Sequence, residues 1–170
     1  MKKMKTKKNI LTSIVLIALL IYGVRKFMQY KIPPKMGFNA AQMIGVDDNK
    51  KITINDYLGK VVIVSCLQTW CGSCAAETPV LNQLATNLND PNFKVIYVTD
   101  EGNDKLTSFR SNLASDKILF TYSEKSLNNL GIYVYPTTFL INKKGEVVKT
   151  KLEGFDWLQD EVMIKKMLAE

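Results

Sequence analysis

The residues in this chain best suited to covalent chemistry are its three cysteines, Cys66, Cys71 and Cys74. Cys71 and Cys74 form a C-x-x-C pair inside the segment Gln68-Thr-Trp-Cys-Gly-Ser-Cys-Ala-Ala-Glu-Thr-Pro79. A continuous apolar run over 61–67 precedes them, and helical spacing over 72–88 follows. The pair therefore stands where a buried strand hands over to a helix. Within a first helical turn, residues three apart come close enough for a disulfide. The first cysteine then meets the helix N-terminus, where unpaired N–H groups and the macrodipole favour a thiolate. Such placement takes a thiol pKa from about 8.5 to between roughly 3.5 and 7.5. Cys71 is read as the nucleophile and Cys74 as the resolving thiol, with exchange running through a mixed disulfide at Cys71.

Other uses of the pair are weaker. Half a zinc site would need two further Cys or His ligands, and the chain offers one spare cysteine and no histidine. A purely structural disulfide between such close neighbours closes too small a loop to stabilise much. The lack of histidine also excludes Ser-His-Asp and Cys-His catalysis and His-held haem within this chain. No P-x-x-x-T-x-x-C pattern marks a thiol peroxidase, since Gln68 stands three residues before Cys71. No cofactor and no metal are expected.

The elements that must position the pair alternate strand and helix. After a short strand at 51–54 and a turn at 56–60, the run 61–67 reads as a central strand buried on both faces. Val80, Leu81, Leu84, Ala85 and Leu88 make one apolar face of the helix that follows. A second buried strand is expected at 93–99, weak helical spacing at 104–114, and an extended piece at 118–122. A helical turn at 126–130 stops at Gly131. The stretch 133–142 reads as a strand after Pro136, Lys143-Lys144-Gly145 turns the chain, and 146–152 returns. A closing helix over 157–168 is expected to face Leu158, Val162, Met163 and Met167 inward. Strand–helix–strand followed by a hairpin and a last helix implies an α/β architecture with a mixed sheet.

The net charge of +7 is unevenly placed. Residues 1–36 carry nine Lys or Arg and no acid, whereas the rest holds 14 basic and 16 acidic groups. The folded part therefore has no electrostatic footprint for nucleic acid, and no nucleic-acid partner is expected. Five lysines before residue 9 precede an apolar run over 10–24, the layout of an export signal. Arg25 and Lys26 can snorkel, so the run can extend towards a span. No small-x-small cleavage site follows it, because Tyr22, Val24, Lys26 and Phe27 occupy those positions. An uncleaved signal-anchor over 1–28 is the reading, with a cleaved signal peptide as the alternative. A stiff linker with Pro33-Pro34 occupies 29–36, and the domain occupies 37–170. Residues 14–21 show no polar stripe, which argues against a soluble amphipathic helix.

The stretch Gly59-Lys-Val-Val-Ile-Val-Ser-Cys-Leu-Gln-Thr-Trp-Cys-Gly-Ser-Cys-Ala-Ala-Glu-Thr-Pro79, with Tyr135-Pro136-Thr-Thr-Phe-Leu-Ile-Asn-Lys-Lys-Gly145, resembles the thioredoxin superfamily. Within it the likeness is to the membrane-anchored TlpA/ResA-type proteins of bacterial envelopes, over about 40–168. The resemblance implies a thioredoxin-like fold and a redox-active Cys71–Cys74 disulfide. It also implies an extracytoplasmic domain on a single-pass anchor in a bacterial cell membrane, on the periplasmic side. It further implies reduction of protein disulfides, including thiols needed in cytochrome c maturation, with a membrane electron donor for re-reduction. A disulfide oxidase or isomerase of the same fold is the sibling alternative. A redox-inactive tethered scaffold is the alternative from another class.

By the same resemblance Pro136 matches a cis-proline beside the disulfide that leaves the preceding backbone for a substrate strand; an ordinary trans proline at a strand edge is the other reading. Trp70 matches a tryptophan next to the nucleophile, or is a core or rim aromatic. Glu77 matches a partly buried acid that shuttles the resolving thiol's proton, or is a solvated acid. Pro79 matches a helix-kinking proline. Two features depart from the family: the Gly72-Ser73 dipeptide, and Cys66 where a bulky aromatic is usual. Cys66 is read as an inert core thiol, with a regulatory disulfide as the alternative. The stretch 100–104 is read as a solvated turn.

Overall fold

The computed structural model describes residues 2–31, 43–113, 116–152 and 157–170. The chain divides into two compact units, Met1–Pro33 and Pro34–Glu170.

The described residues of the first unit form one helix, α1 (Lys2–Lys31). Within it Ile10–Met28 spans 19 residues at a mean hydropathy of 1.9, long and apolar enough to cross a membrane. Its Ile, Leu and Val side chains are exposed. A helix satisfies its backbone groups internally, which suits a lone apolar segment to lipid. Most of the linker expected at 29–36, from residue 32 on, lies outside the described residues.

In the second unit the strands are β1 (Met43–Gly45), β2 (Lys51–Ile52), β3 (Val61–Cys66), β4 (Phe93–Thr99), β5 (Ile118–Ser123), β6 (Thr137–Ile141) and β7 (Val147–Leu152). They lie side by side in the order β2-β1-β5-β4-β3-β6-β7. β3 runs parallel to β4 and β4 to β5, while β6 and β7 are antiparallel additions beside β3. The helices are α2 (Gly72–Leu88), α3 (Asn103–Ser111) and α4 (Glu161–Ala169). This is the mixed α/β sheet with flanking helices that the pattern of elements implied.

Side-chain alternation along the strands divides the core in two. Val61, Ile63 and Leu67 join Val95, Tyr97, Leu140, Leu81, Leu84 and Ile164 on the face covered by α2 and α4. Val62, Val64 and Cys66 join Ile96, Val98, Phe139 and Ile141 on the other. Leu81 and Leu84 are completely buried; burial of such side chains stabilises by about 1.5–3 kcal/mol each. That anchorage fixes the first turn of α2, where the thiols sit.

The β6–β7 hairpin turns on Asn142, whose side chain accepts from the Lys144 and Glu146 backbone N–H groups. Gly145 takes a φ of 81° there, a backbone region that favours glycine.

Two expectations need correction, and one strand pairing is new. The strand at 51–54 stops at Ile52, and Ile54–Tyr57 form a 3-10 turn, started by Asp56 accepting from the Thr53 N–H at 2.6 Å. The pairing of β1 with β5 was not foreseen, because a three-residue strand carries too little periodicity. The closing helix has another phase. Trp157–Asp160 form a 3-10 turn before α4, so Trp157 and Ile164 face inward, while Leu158, Met163 and the 79% exposed Val162 face out. Met167 does pack against the core. Three residues per turn at the start rotate the later positions away from a uniform 3.6 period. Lys149 and Lys151 fix that start by pairing with Asp160, each at 2.5 Å.

Candidate active site

β3 ends at Cys66 and α2 begins at Gly72, so 67–71 form the crossing between strand and helix. Gln68 and Thr69 are fastened on the way. Gln68 Nε2 donates to Asp100 at 2.7 Å, and the Thr69 N–H donates to Glu101. Asp100 also accepts from the Leu127 N–H at 2.8 Å. Burial would raise both acids, but these hydrogen bonds outweigh it and hold each below its usual value. The expectation of a merely solvated turn at 100–104 is therefore corrected for Asp100 and Glu101. They latch the loop that leads into the cysteines.

Cys71 is the N-cap of α2, with extended φ and ψ of −83° and 108°. The Cys74 N–H donates to its Sγ at 3.2 Å. Cys71 and Cys74 are joined by a disulfide, with Cα atoms 5.3 Å apart. Cys71 is 7% exposed and Cys74 1%, so solvent and partners meet Cys71 first. Ser73 Oγ lies 3.3 Å from Cys71 Sγ and donates to the Tyr135 carbonyl at 3.4 Å. That contact brings the 135–136 segment to the disulfide, and the Tyr135–Pro136 peptide is cis. Trp70 stands 73% exposed beside the pair, edge-on to the Tyr135 ring at 6.3 Å. It is a rim aromatic and not a core one.

Glu77 lies in α2, less than one turn beyond Cys74, and is 3% exposed. Ser65 Oγ on β3 donates to its Oε2 at 3.1 Å, and Thr138 Oγ1 on β6 does so at 3.3 Å. Trp157 Nε1 donates to Oε1 at 2.9 Å. Burial raises the Glu77 pKa, against these three donors and the Lys151 charge, which lower it. The carboxyl is thus a buried acid with a proton held more tightly than usual. The solvated alternative does not describe it.

Ser65, Thr138 and Trp157 were not singled out in the sequence. Ser65 carried a usable signal, being the one hydroxyl inside a strand buried along its whole length. A buried polar side chain needs a partner. Trp157 carried none beyond its size.

Cys66 is a free thiol buried completely. It belongs to the cluster on the far face of β3, whereas Cys71 and Cys74 belong to the α2 side. Burial, with a smaller contribution from Asp100, pushes its pKa well up.

Residues 37–168 match the Redoxin family. A thiol-disulfide oxidoreductase ResA of Bacillus thuringiensis is 29% identical over 166 residues, covering 88% of this chain and 96% of its own. A thiol:disulfide interchange protein DsbE of Pseudomonas fluorescens is 32% identical, covering 91% of this chain and 86% of its own. Among solved structures, the thioredoxin domain of a thiol-disulfide oxidoreductase from Bacteroides vulgatus superposes with a TM-score of 0.64. It is 20% identical and covers 78% of this chain and 99% of that one.

Proposed function

The chain belongs to the Redoxin family as a TlpA/ResA-like thiol-disulfide oxidoreductase of thioredoxin-like fold, and from that premise we propose that it is a membrane-tethered reductant of disulfides in bacterial envelope proteins. The apolar helix Ile10–Met28 supports a single-pass anchor over 1–28, carrying the catalytic domain 37–170 on the periplasmic side through the linker 29–36. The observation that carries the chemistry is the Cys71–Cys74 pair across the first turn of α2, with a buried acid beside it.

In the reduced protein the Cys71 thiolate attacks one sulfur of a client disulfide. A Cys71–client disulfide forms, and the other client sulfur leaves as a thiolate that takes up a proton. Cys74 then gives its proton to the Glu77 carboxylate and attacks Cys71 Sγ. The Cys71–Cys74 bond forms, the Cys71–client bond breaks, and the client's second sulfur leaves as a thiolate. The client gains two electrons, and the pair loses two.

The 135–136 backbone beside the disulfide offers a client strand a place to lie, with Pro136 shaping that edge. Exposed Trp70 provides an apolar rim for the same strand. A membrane electron donor must return two electrons to the Cys71–Cys74 disulfide after each turnover. The likeness to TlpA/ResA-type proteins supports apocytochrome c thiols, in cytochrome c maturation, as a client class.

Direction is tested by the reduction potential of Cys71–Cys74, measured on the full chain in detergent by equilibration with glutathione and dithiothreitol. A value near thioredoxin's, about −270 mV, or lower is expected. A value near about −120 mV would make the protein a disulfide-forming oxidant and overturn the reductant reading.

A further inference from the structure

Four neighbouring strands align one residue each on the face under α2. Tyr97 on β4 is in register with Ser65 on β3, Ser65 with Thr138 on β6, and Thr138 with Lys151 on β7. Ser65 Oγ and Thr138 Oγ1 lie 2.8 Å apart, and each is within hydrogen-bond reach of Glu77 Oε2. Lys151 closes the row from the edge strand, with its side chain only 11% exposed.

Its ammonium lies 4.2 Å from the centroid of the Trp157 ring, the ring whose N–H donates to Glu77. A cation over an indole face draws electron density towards itself. The N–H at the ring edge is left a stronger donor, and hydrogen bonds in such a chain reinforce one another. Asp160 forms an ion pair with the same ammonium at 2.5 Å and also pairs with Lys149. Lys151 is thus shared between the Asp160 carboxylate and the ring that touches the buried acid.

We propose that Lys151 is a positioning residue for the exchange reaction: acting through the Trp157 indole, it favours the carboxylate form of Glu77 that takes the proton of Cys74, with Asp160 limiting its pull. This rests on the reading of Glu77 as the proton acceptor. The groups that face Glu77 are Ser65 and Tyr97 of the central strands, Thr138 of β6, Lys151 of β7 and Trp157 of the closing turn, with Cys74 three residues earlier on α2. Lys151 is the one cation among them. It pulls the Glu77 pKa down, against the burial that raises it.

The test is a single-turnover reaction of the reduced full chain, in detergent, with 5,5′-dithiobis(2-nitrobenzoate). The first release of thionitrobenzoate reports attack by Cys71, and the second reports resolution by Cys74. The first phase checks that each variant retains a folded site. In wild type the second phase should lose rate as Glu77 is protonated on the acid side. Lys151→Met should move that acid limb to higher pH, slowing resolution about threefold at mildly acidic pH. Asp160→Asn, which removes the carboxylate paired with Lys151, should move the limb to lower pH, and Lys151→Arg should restore the wild-type position. General loosening of the closing turn cannot move the limb in opposite directions. If both variants move it the same way, or neither moves it while Glu77→Gln abolishes it, the role of Lys151 is overturned and that of Glu77 stands. If Glu77→Gln leaves the limb in place, Glu77 is not the acceptor, and both fall.

Discussion

Cys66 and Cys71 lie on one short stretch of chain, yet they occupy opposite sides of the sheet. Cys66 is the last residue of β3 and points into the cluster of Val62, Val64, Val98 and Phe139. Cys71 lies past the strand end, at the N-cap of α2, bonded to Cys74 and receiving the Cys74 N–H. One thiol is enclosed by apolar side chains that penalise its charged form. The other meets backbone donors and a helix N-terminus that favour charge. Thiol chemistry here depends on strand parity and helix position, because the residue type is the same.

The largest expected effect breaks this comparison outright. Cys71→Ser should lower disulfide-exchange turnover by about a thousandfold or more, while Cys66→Ala stays within about twofold of wild type. Equal losses in the two would erase the distinction. Alkylation sharpens it in the native state. After reduction, iodoacetamide should modify Cys71 within minutes and leave Cys66 unmodified until denaturant is added, as peptide mass mapping would show. Early modification of Cys66 would contradict its burial.

Glu77 adds a buried carboxyl to the α2 side. Glu77→Gln should slow resolution by about tenfold or more near neutral pH while leaving attack by Cys71 unchanged. The same substitution has an expected sign in stability. The folded-state pKa of Glu77 is raised, so its contribution to stability is fully present below the ordinary carboxyl range of about 4.3. That contribution is lost as pH rises through the raised value. Glu77→Gln should therefore raise Tm by a few degrees at neutral pH, with no gain near pH 4. The smallest effect lies on the far face: Cys66→Ala should cost about 1 kcal/mol of stability by chemical denaturation.

Much of this was legible in the residues. The C-x-x-C spacing after an apolar run placed two thiols at a helix start, and β4 runs over the expected 93–99. The hairpin was marked by Lys143-Lys144-Gly145. What could not be read came from long-range pairing. Reading 61–67 as one continuous apolar run hid its parity, and parity is what sends Ser65 to Glu77 and Cys66 away from it. Trp157 meets Glu77 across 80 positions of sequence, and no local spacing encodes that contact. The phase of α4 follows from a 3-10 start that Lys149 and Lys151 secure through Asp160, a tertiary cause with no periodic signature.

The division between the two thiols is tested most directly by trapping. The Cys74→Ser chain, reduced and mixed with a disulfide-containing protein client, should stall as a mixed disulfide, because the resolving thiol is gone. Mass mapping of that adduct should place the client on Cys71 alone. A client found on Cys66, or no adduct at all under conditions where wild type turns over, would contradict Cys71 as the attacking thiol.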